Sequence, residues 1–86
     1  MDPYNIIKYP LSTEKSIRLM ESDNKLIFVV DKGATKKDIK KSIEEMFNAE
    51  VDSVNTFVNE NGEKRAYVKF SAKNPAIDIA TQMGLM

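Results

Sequence analysis

The stretch VDSVNTFVNENGEKRAYVKF, residues 51–70, decides the fold of this chain. Two runs of β-favouring residues, Val51–Val58 and Lys64–Phe70, flank a polar connection that contains Asn61-Gly62. Asn-Gly between two such runs is a strong hairpin signal, because both residues tolerate a positive φ. We therefore predict a β-hairpin that turns at Asn61-Gly62.

The second strand of the predicted hairpin alternates between apolar and polar side chains. Successive side chains of a strand point to opposite faces of the sheet. One face suits a core, because it carries Ala66, Val68 and Phe70. The other face carries Arg65, Tyr67 and Lys69. Cations around an aromatic ring suit contact with phosphates and bases, and an ordinary solvated sheet face is the alternative.

Two further strands are predicted upstream of the hairpin. Ile6–Tyr9 is a short apolar segment that ends at Pro10, which is typical of an edge strand because proline is tolerated there. Lys25–Val30 contains five consecutive apolar residues. Such a run favours a central strand that is covered on both faces.

Capping signals predict two helices around the central strand. Ser12-Thr13 offers an N-cap for a helix over Thr13–Glu21, and Ser22-Asp23-Asn24 supplies turn residues that end it. Thr35 caps a longer helix from Lys36 to about Asn48 and pairs with Asp38 in a pattern similar to a capping box. The apolar stripe of this second helix has helical spacing and consists of Ile39, Ile43, Met46 and Phe47.

A third helix follows the hairpin. Asn74 is predicted as its N-cap, Pro75 as its first residue and Gly84 as its C-terminal cap. The element order is therefore β-α-β-α-β-β-α. Helices beside an antiparallel sheet define an α+β fold, and the whole chain, residues 1–86, is expected to form one domain.

Charge is balanced in total and segregated along the chain. There are 13 basic and 13 acidic residues. Lys32–Lys41 holds five lysines and one acid, residues 42–63 hold six acids and no base, and Lys64–Lys73 holds four bases and no acid. Balanced charge for solubility is one explanation. A two-sided protein, with one side facing a polyanion, is the other.

The second helix carries its charges in the unfavourable order. Its first turns hold Lys36, Lys37, Lys40 and Lys41, and Glu44 and Glu45 follow. Cations at the positive end of a helix oppose the macrodipole, so the order indicates either an external polyanion or tolerated drift. Lys40–Glu44 and Lys41–Glu45 are also candidate ion pairs between successive turns.

The composition argues against an enzyme. The sequence has no cysteine and no histidine, and it has no complete phosphate-binding loop. We expect neither a cofactor nor a metal site. No apolar run approaches the roughly 20 residues of a membrane span, and the N-terminus lacks a signal-peptide pattern, so we expect a cytoplasmic protein.

Several motifs, in order, resemble those of the family of large-ribosomal-subunit protein twenty-three. Its YP…TEK signature is similar to the stretch Tyr9-Pro10-Leu11-Ser12-Thr13-Glu14-Lys15. The later matches are Asn24–Asp31, Ala34-Thr35-Lys36, Ile39-Lys40, Val54-Asn55-Thr56, Gly62–Val68 and Ala76–Gly84. The short hairpin connection and the C-terminal Ile79-Ala80…Gly84 pattern resemble the archaeal and eukaryotic branch, and the absence of the basic N-terminal extension of eukaryotic relatives favours an archaeal type.

The resemblance implies a fold and a function. The implied sheet has four antiparallel strands in the order 1-2-4-3. The implied partners are the third domain of large-subunit rRNA, the neighbouring ribosomal protein twenty-nine, and the signal recognition particle with other nascent-chain factors at the exit tunnel. The hairpin tip would project toward the rRNA and the tunnel, and no enzymatic activity is implied.

Together, the residue patterns and the resemblance give a set of candidate RNA-binding residues. These are Thr13, Lys15, Lys36, Lys37, Lys40, Lys41, Asn55, Thr56, Lys64, Arg65, Tyr67 and Lys69. We expect Lys64–Lys69 and the start of the second helix to form one RNA-facing surface. The chain departs from many basic relatives in being neutral, and in having Glu50, Asp52 and Ser53 where relatives often carry lysines. The alternative function is a protein-interaction module without an RNA role, using the acidic region Glu44–Glu63.

Overall fold

A four-stranded antiparallel sheet with three helices forms the frame of the molecule. The computed structural model describes residues 6–84. The strands are β1 (Ile7–Pro10), β2 (Lys25–Val30), β3 (Val51–Val58) and β4 (Lys64–Phe70), in the order β1-β2-β4-β3. The helices are α1 (Glu14–Asp23), α2 (Lys36–Phe47) and α3 (Ala76–Gln82). The α+β class, the element order and the strand order are all confirmed.

The central position of β2 is confirmed as well. This strand lies between β1 and β4, and its last five side chains are all buried. Leu26, Phe28 and Val30 belong to the main core, whereas Ile27 and Val29 lie on the opposite face among their cross-strand neighbours. Two-sided burial explains why the strand is a continuous apolar run instead of an alternating one.

One hydrophobic core holds the helices against one face of the sheet. α1 contributes Met20, and α2 contributes Ile39 and Ile43, both of which are fully buried. The sheet side of the core includes Phe28, Phe70, Ala66 and Val68, and α3 adds Ala76, Ile79 and Ala80. Residues of all three helices therefore belong to one core on this face of the sheet.

The hairpin forms, but its turn differs from the prediction. Gly62 has a positive φ of 78°, whereas Asn61 is not among the described residues with positive φ. The Asn59 side chain accepts hydrogen bonds from the backbone amides of Asn61 (3.0 Å) and Glu63 (2.9 Å). A five-residue connection closed around Asn59 needs only one left-handed residue, so the Asn-Gly pair does not adopt the two-residue turn.

The capping prediction for α2 is confirmed, and both long helices end at an asparagine. The Thr35 hydroxyl accepts from the Asp38 amide (3.1 Å), and Asp38 accepts from the Thr35 amide (3.2 Å). α1 begins after its predicted cap, Thr13, but extends to Asp23, beyond the predicted end at Glu21. Asn24 and Asn48 then take left-handed conformations, with φ of 56° and 50°, which closes each helix in the way that glycine often does.

The predicted cap of α3 is wrong. Pro75 occupies the N-cap position, and the first helical amide, that of Ala76, donates to the side-chain oxygen of Asn24 at 2.6 Å. Asn74 instead accepts from the backbone amide of Glu50 at 2.8 Å. Proline has no side-chain acceptor, so the cap comes from a residue that is distant in sequence. The prediction for the other end holds, since Gly84 has φ of 77°.

Asn24 joins four parts of the chain. Besides ending α1 and capping α3, its amide nitrogen lies 3.1 Å from the carbonyl oxygen of Phe70, 3.2 Å from that of Ser71 and 3.3 Å from that of Asn74. Its own carbonyl accepts from the Phe70 amide at 3.1 Å. The end of β4 and the loop before α3 are therefore held by one side chain.

We predict that Asn24→Gly lowers the free energy of unfolding by about 1–3 kcal/mol, because it leaves part-buried carbonyls and an amide without partners. Glycine keeps the left-handed backbone, so the decrease reports the side chain alone. The matched control is Asn48→Gly, at a left-handed position whose exposed side chain makes no hydrogen bond within residues 6–84. Urea denaturation measures both, and equal effects would contradict the role of the Asn24 side chain.

Candidate nucleic-acid interface

The sheet face opposite the core carries the predicted aromatic and cationic side chains. The alternation of β4 places Arg65, Tyr67 and Lys69 on this face. Cross-strand register adds their partners on β3, which are Phe57, Asn55 and Ser53 respectively. We call this surface, made by these six residues, the open face.

Tyr67 lies at the centre of the open face, between a second ring and a cation. The ring centroids of Tyr67 and Phe57 are 5.2 Å apart and tilted by 45°. The Lys15 ammonium, from the first turn of α1, lies 5.5 Å from the Tyr67 centroid, which is cation–π distance. Phe57 remains 43% exposed. The arrangement presents aromatic surface with an adjacent positive charge.

Phe57 is a candidate that the sequence analysis did not select. It follows Asn55 by two positions in the same strand, so alternation alone places it on the face of Asn55. The signal that could have identified Phe57 from the sequence is an aromatic side chain on the solvent-facing side of a predicted strand. Its pairing with Tyr67 required the register of β3 against β4.

Asn55 and Thr56 lie on opposite faces of the sheet. Asn55 lies opposite Tyr67 on the open face and is exposed. Thr56 lies opposite Ala66, on the helix-covered face, and is half-buried. Adjacent residues of a strand point in opposite directions, so only Asn55 belongs to the open face.

Arg65 is held by an ion pair at the edge of the open face. Its Nε donates to a carboxylate oxygen of Glu63 at 2.9 Å, and the Tyr9 hydroxyl donates to the other oxygen at 3.0 Å. The bond from Arg65, followed by that from Tyr9, lowers the pKa of the Glu63 carboxyl. The bond to Glu63, followed by partial desolvation, raises the pKa of the Tyr9 phenol. This network fixes the guanidinium beside the hairpin connection.

Lys64 belongs to the other face of the sheet. Its ammonium donates to the backbone carbonyl of Ala34 at 2.6 Å and lies 3.5 Å from that of Lys32. The side chain thus fastens β4 to the loop that precedes α2. This contact gives Lys64 a structural role in addition to its predicted role in RNA binding.

The four α2 lysines, Lys36, Lys37, Lys40 and Lys41, are all exposed. The predicted pairs of Lys40 with Glu44 and of Lys41 with Glu45 do not form, since the ion pairs among residues 6–84 are Arg18–Glu14 and Arg65–Glu63. Glu44 instead accepts from the Val51 amide at 3.3 Å. A backbone donor at the start of β3 therefore takes the place of the lysine as the partner of Glu44.

The α2 lysines and the open face lie on opposite sides of the sheet. α2 packs through Ile39 and Ile43 on the core face, whereas Tyr67 and its neighbours point away from it. The expectation of one continuous surface therefore holds for Lys64, which reaches the loop before α2, and is wrong for Arg65, Tyr67 and Lys69. Two separate basic surfaces replace it, because strand alternation sends Lys64 one way and Arg65, Tyr67 and Lys69 the other.

The remaining candidates differ in how available they are. The Thr13 hydroxyl accepts from the Ser16 amide at 3.2 Å as the N-cap of α1, while Lys15 and Lys69 are exposed.

Within residues 6–84, no group of three or more acidic, cysteine or histidine side chains is placed to hold a metal ion. No helix in the same range has the length and apolarity to span a membrane.

Comparisons with known proteins agree with one another. Residues 5–81 match the family model described as ribosomal protein L23. Two relatives named large ribosomal subunit protein uL23 are similar over 99% of this chain and 99% of their own length. The relative from Methanococcus aeolicus is 40% identical, and that from Methanococcus vannielii is 42% identical. The family resemblance and its archaeal character are confirmed.

We predict that Arg65→Gln raises the pKa of Glu63 toward its ordinary value, because its largest stabilising partner is removed. A lowered pKa in the folded state stabilises the protein above the unfolded-state pKa, and this contribution disappears as pH falls through the folded-state pKa. The variant should therefore be less stable than wild type near neutral pH, and the difference should vanish in acid. Carbon NMR of the Glu63 carboxyl measures the pKa. Arg18→Gln, on α1, is the control that should leave it unchanged.

Proposed function

The chain belongs to the ribosomal protein L23 family and is a protein of the large ribosomal subunit; within that subunit, we propose, it binds rRNA directly as a structural constituent. The observation that carries this proposal is the open face. Tyr67 and Phe57 offer two adjacent rings, with Lys15 and Lys69 as exposed cations beside them. Aromatic rings interleaved with cations suit unstacked bases and their phosphates.

The α2 lysines supply a second binding surface. They stand at the positive end of the α2 macrodipole and have no ion-pair partner among residues 6–84. An RNA phosphate is attracted both by the ammonium groups and by the helix terminus. The polyanion explanation of the reversed charge order is thus the one we adopt.

Two basic surfaces on opposite sides of the sheet imply two approaches of RNA. The open face would take bases by stacking, with Asn55 and Arg65 beside the rings for polar contacts. The α2 lysines would take backbone phosphates. Phosphate contacts position a protein, while stacking and base-edge contacts select its site, so the two surfaces divide these tasks.

The neutral total charge is compatible with this assignment. Nucleic-acid affinity depends on how many phosphates are neutralised locally rather than on the sum over the chain. The basic stretches contain few acids, because Asp38 is the one acid in residues 32–41 and residues 64–73 contain none. We infer moderate affinity with selectivity that depends on shape and stacking.

Family membership also supports more specific proposals about the setting. We propose that the RNA is the third domain of large-subunit rRNA and that the protein lies in the cytoplasm, beside the exit tunnel of the ribosome. Its neighbours there would be ribosomal protein twenty-nine and, on translating ribosomes, the signal recognition particle and other nascent-chain factors. The role is structural and not enzymatic.

Replacing the four α2 lysines with glutamine should weaken binding to the cognate rRNA fragment and flatten its salt dependence. Each phosphate that is no longer neutralised reduces the slope of log affinity against log salt by about 0.7–0.9, so four substitutions reduce it by up to about 3.6. Titration by fluorescence anisotropy at several salt concentrations measures both quantities.

A double variant with a matched control shows whether the position of the charges matters. Lys40→Gln with Lys41→Gln removes two charges from the α2 lysines, whereas Arg18→Gln with Lys73→Gln removes two charges outside both basic surfaces. If the two pairs have equal effects, the α2 lysines have no special role. If wild type binds the cognate fragment no better than a random RNA of equal length, the protein-interaction alternative is favoured.

The contribution of the open face to RNA binding can be measured separately from that of the α2 lysines. Tyr67→Leu should cost about 1–3 kcal/mol of binding free energy, the usual range for one base–aromatic stack, with the salt slope unchanged. Tyr67→Phe retains the ring and should bind almost as wild type. Reductions of equal size in both variants would indicate that the hydroxyl, not the ring, binds the RNA.

A further inference from the structure

The outer edge of β3 is the longest unpaired strand edge among residues 6–84. β3 has eight residues and is the last strand of the sheet, with β4 as its only partner. β1, at the opposite edge, has four residues, contains a bulge and ends at Pro10. Short, irregular strands that contain proline are protected against strand addition. β3 has no proline and is regular from Ser53 onward.

The hydrogen-bond pattern identifies the groups that point outward. The Asn59 amide donates to the Glu63 carbonyl at 2.9 Å, which makes this pair a hydrogen-bonded one. Hydrogen-bonded pairs recur at every second residue of an antiparallel ladder. Phe57, Asn55 and Ser53 therefore bond to β4, and the amides and carbonyls of Val54, Thr56 and Val58 point to the free edge.

The acidic side chains at the start of the β3 edge favour a positively charged partner there. The start of the edge is flanked by Glu50 and Asp52, and Glu44 is fixed beside it by its bond to the Val51 amide. The other end is apolar, with Phe57 43% and Val58 58% exposed. Lys37 and Lys40 lie on the same side of α2 as Glu44, because they precede it by seven and four residues. They are nearer the helix start than Glu44, so they lie toward the apolar end of β3.

We propose that the β3 edge docks an extended protein segment that adds to the sheet as a fifth strand, with lysine or arginine beside Glu50 and Asp52 and apolar residues beside Phe57 and Val58. Three outward amides and three outward carbonyls supply the backbone bonds, as in other cases of strand addition. The acids and the exposed apolar side chains supply selectivity. This proposal does not require RNA binding at the open face, although Phe57 belongs to both surfaces.

A second copy of the chain fits the edge less well. Antiparallel pairing that uses all three outward residues sets Val54 of one copy opposite Val58 of the other. That register brings Asp52 near Glu60 of the partner copy, twice in a symmetric dimer. Like charges facing each other across strands are destabilising. The basic extended segment is therefore the better occupant.

The test uses the full chain and the synthetic peptide Val-Thr-Val-Thr-Lys-Arg-Lys, read out by amide hydrogen exchange. Antiparallel addition places the cationic end of this peptide at the acidic start of β3. The amides of Val54, Thr56 and Val58 should exchange about tenfold more slowly at a peptide concentration about ten times Kd. Those of Ser53, Asn55 and Phe57 should not change, because β4 already binds them.

Variants separate the backbone from the charges. Thr56→Pro removes one outward amide without breaking a bond to β4 and should abolish slowing at Val54 and Val58, whereas Thr56→Val should not. Glu50→Gln with Asp52→Asn leaves the backbone intact and should weaken binding, with a flatter salt dependence. Slowing spread evenly over β3, binding unaffected by either change, or concentration-dependent dimerisation through β3 would overturn the proposal.

Discussion

The register between β2 and β4 is the constraint on which the rest of the structure depends. It sets Leu26 opposite Val68 and Phe28 opposite Ala66 on the core face. It equally sets Ile27 opposite Tyr67 on the other face. Because side chains alternate with a period of two, a slip of one residue would exchange the two faces and bury the polar set. The core and the open face are therefore products of a single pairing.

This pairing explains how a neutral chain presents two basic surfaces and one acidic edge. Lys64 and Arg65 are neighbours in sequence, yet one bonds to the Ala34 carbonyl behind the sheet and the other pairs with Glu63 in front of it. Four of the six acids of residues 42–63 lie where α2 ends and β3 begins, namely Glu44, Glu45, Glu50 and Asp52. The proposed RNA-binding surfaces and the proposed protein-binding edge thus belong to one sheet, and Phe57 contributes to both the open face and the edge.

Much of the fold followed from local signals. The alternation of β4, the continuous apolar run of β2 and the capping box at Thr35 each depend on residues a few positions apart, and each prediction held. The failures involve distant partners. Asn24 caps α3 across 52 residues, and the partner of Glu44 proved to be a backbone amide instead of Lys40. No local pattern distinguishes these arrangements, because the competing groups are brought together only by packing.

The sequence by itself determined the order of the elements, the two faces of each strand and the family to which the chain belongs. Periodicity and capping are short-range properties, so they are legible in the residues alone. Tertiary structure decided which side chains share a surface. The approach of Lys15 to Tyr67 and the pairing of Phe57 with Tyr67 both depend on strand register and helix placement. The physical reason is that a surface is assembled from residues far apart in the chain, and only the packed core fixes their relative positions.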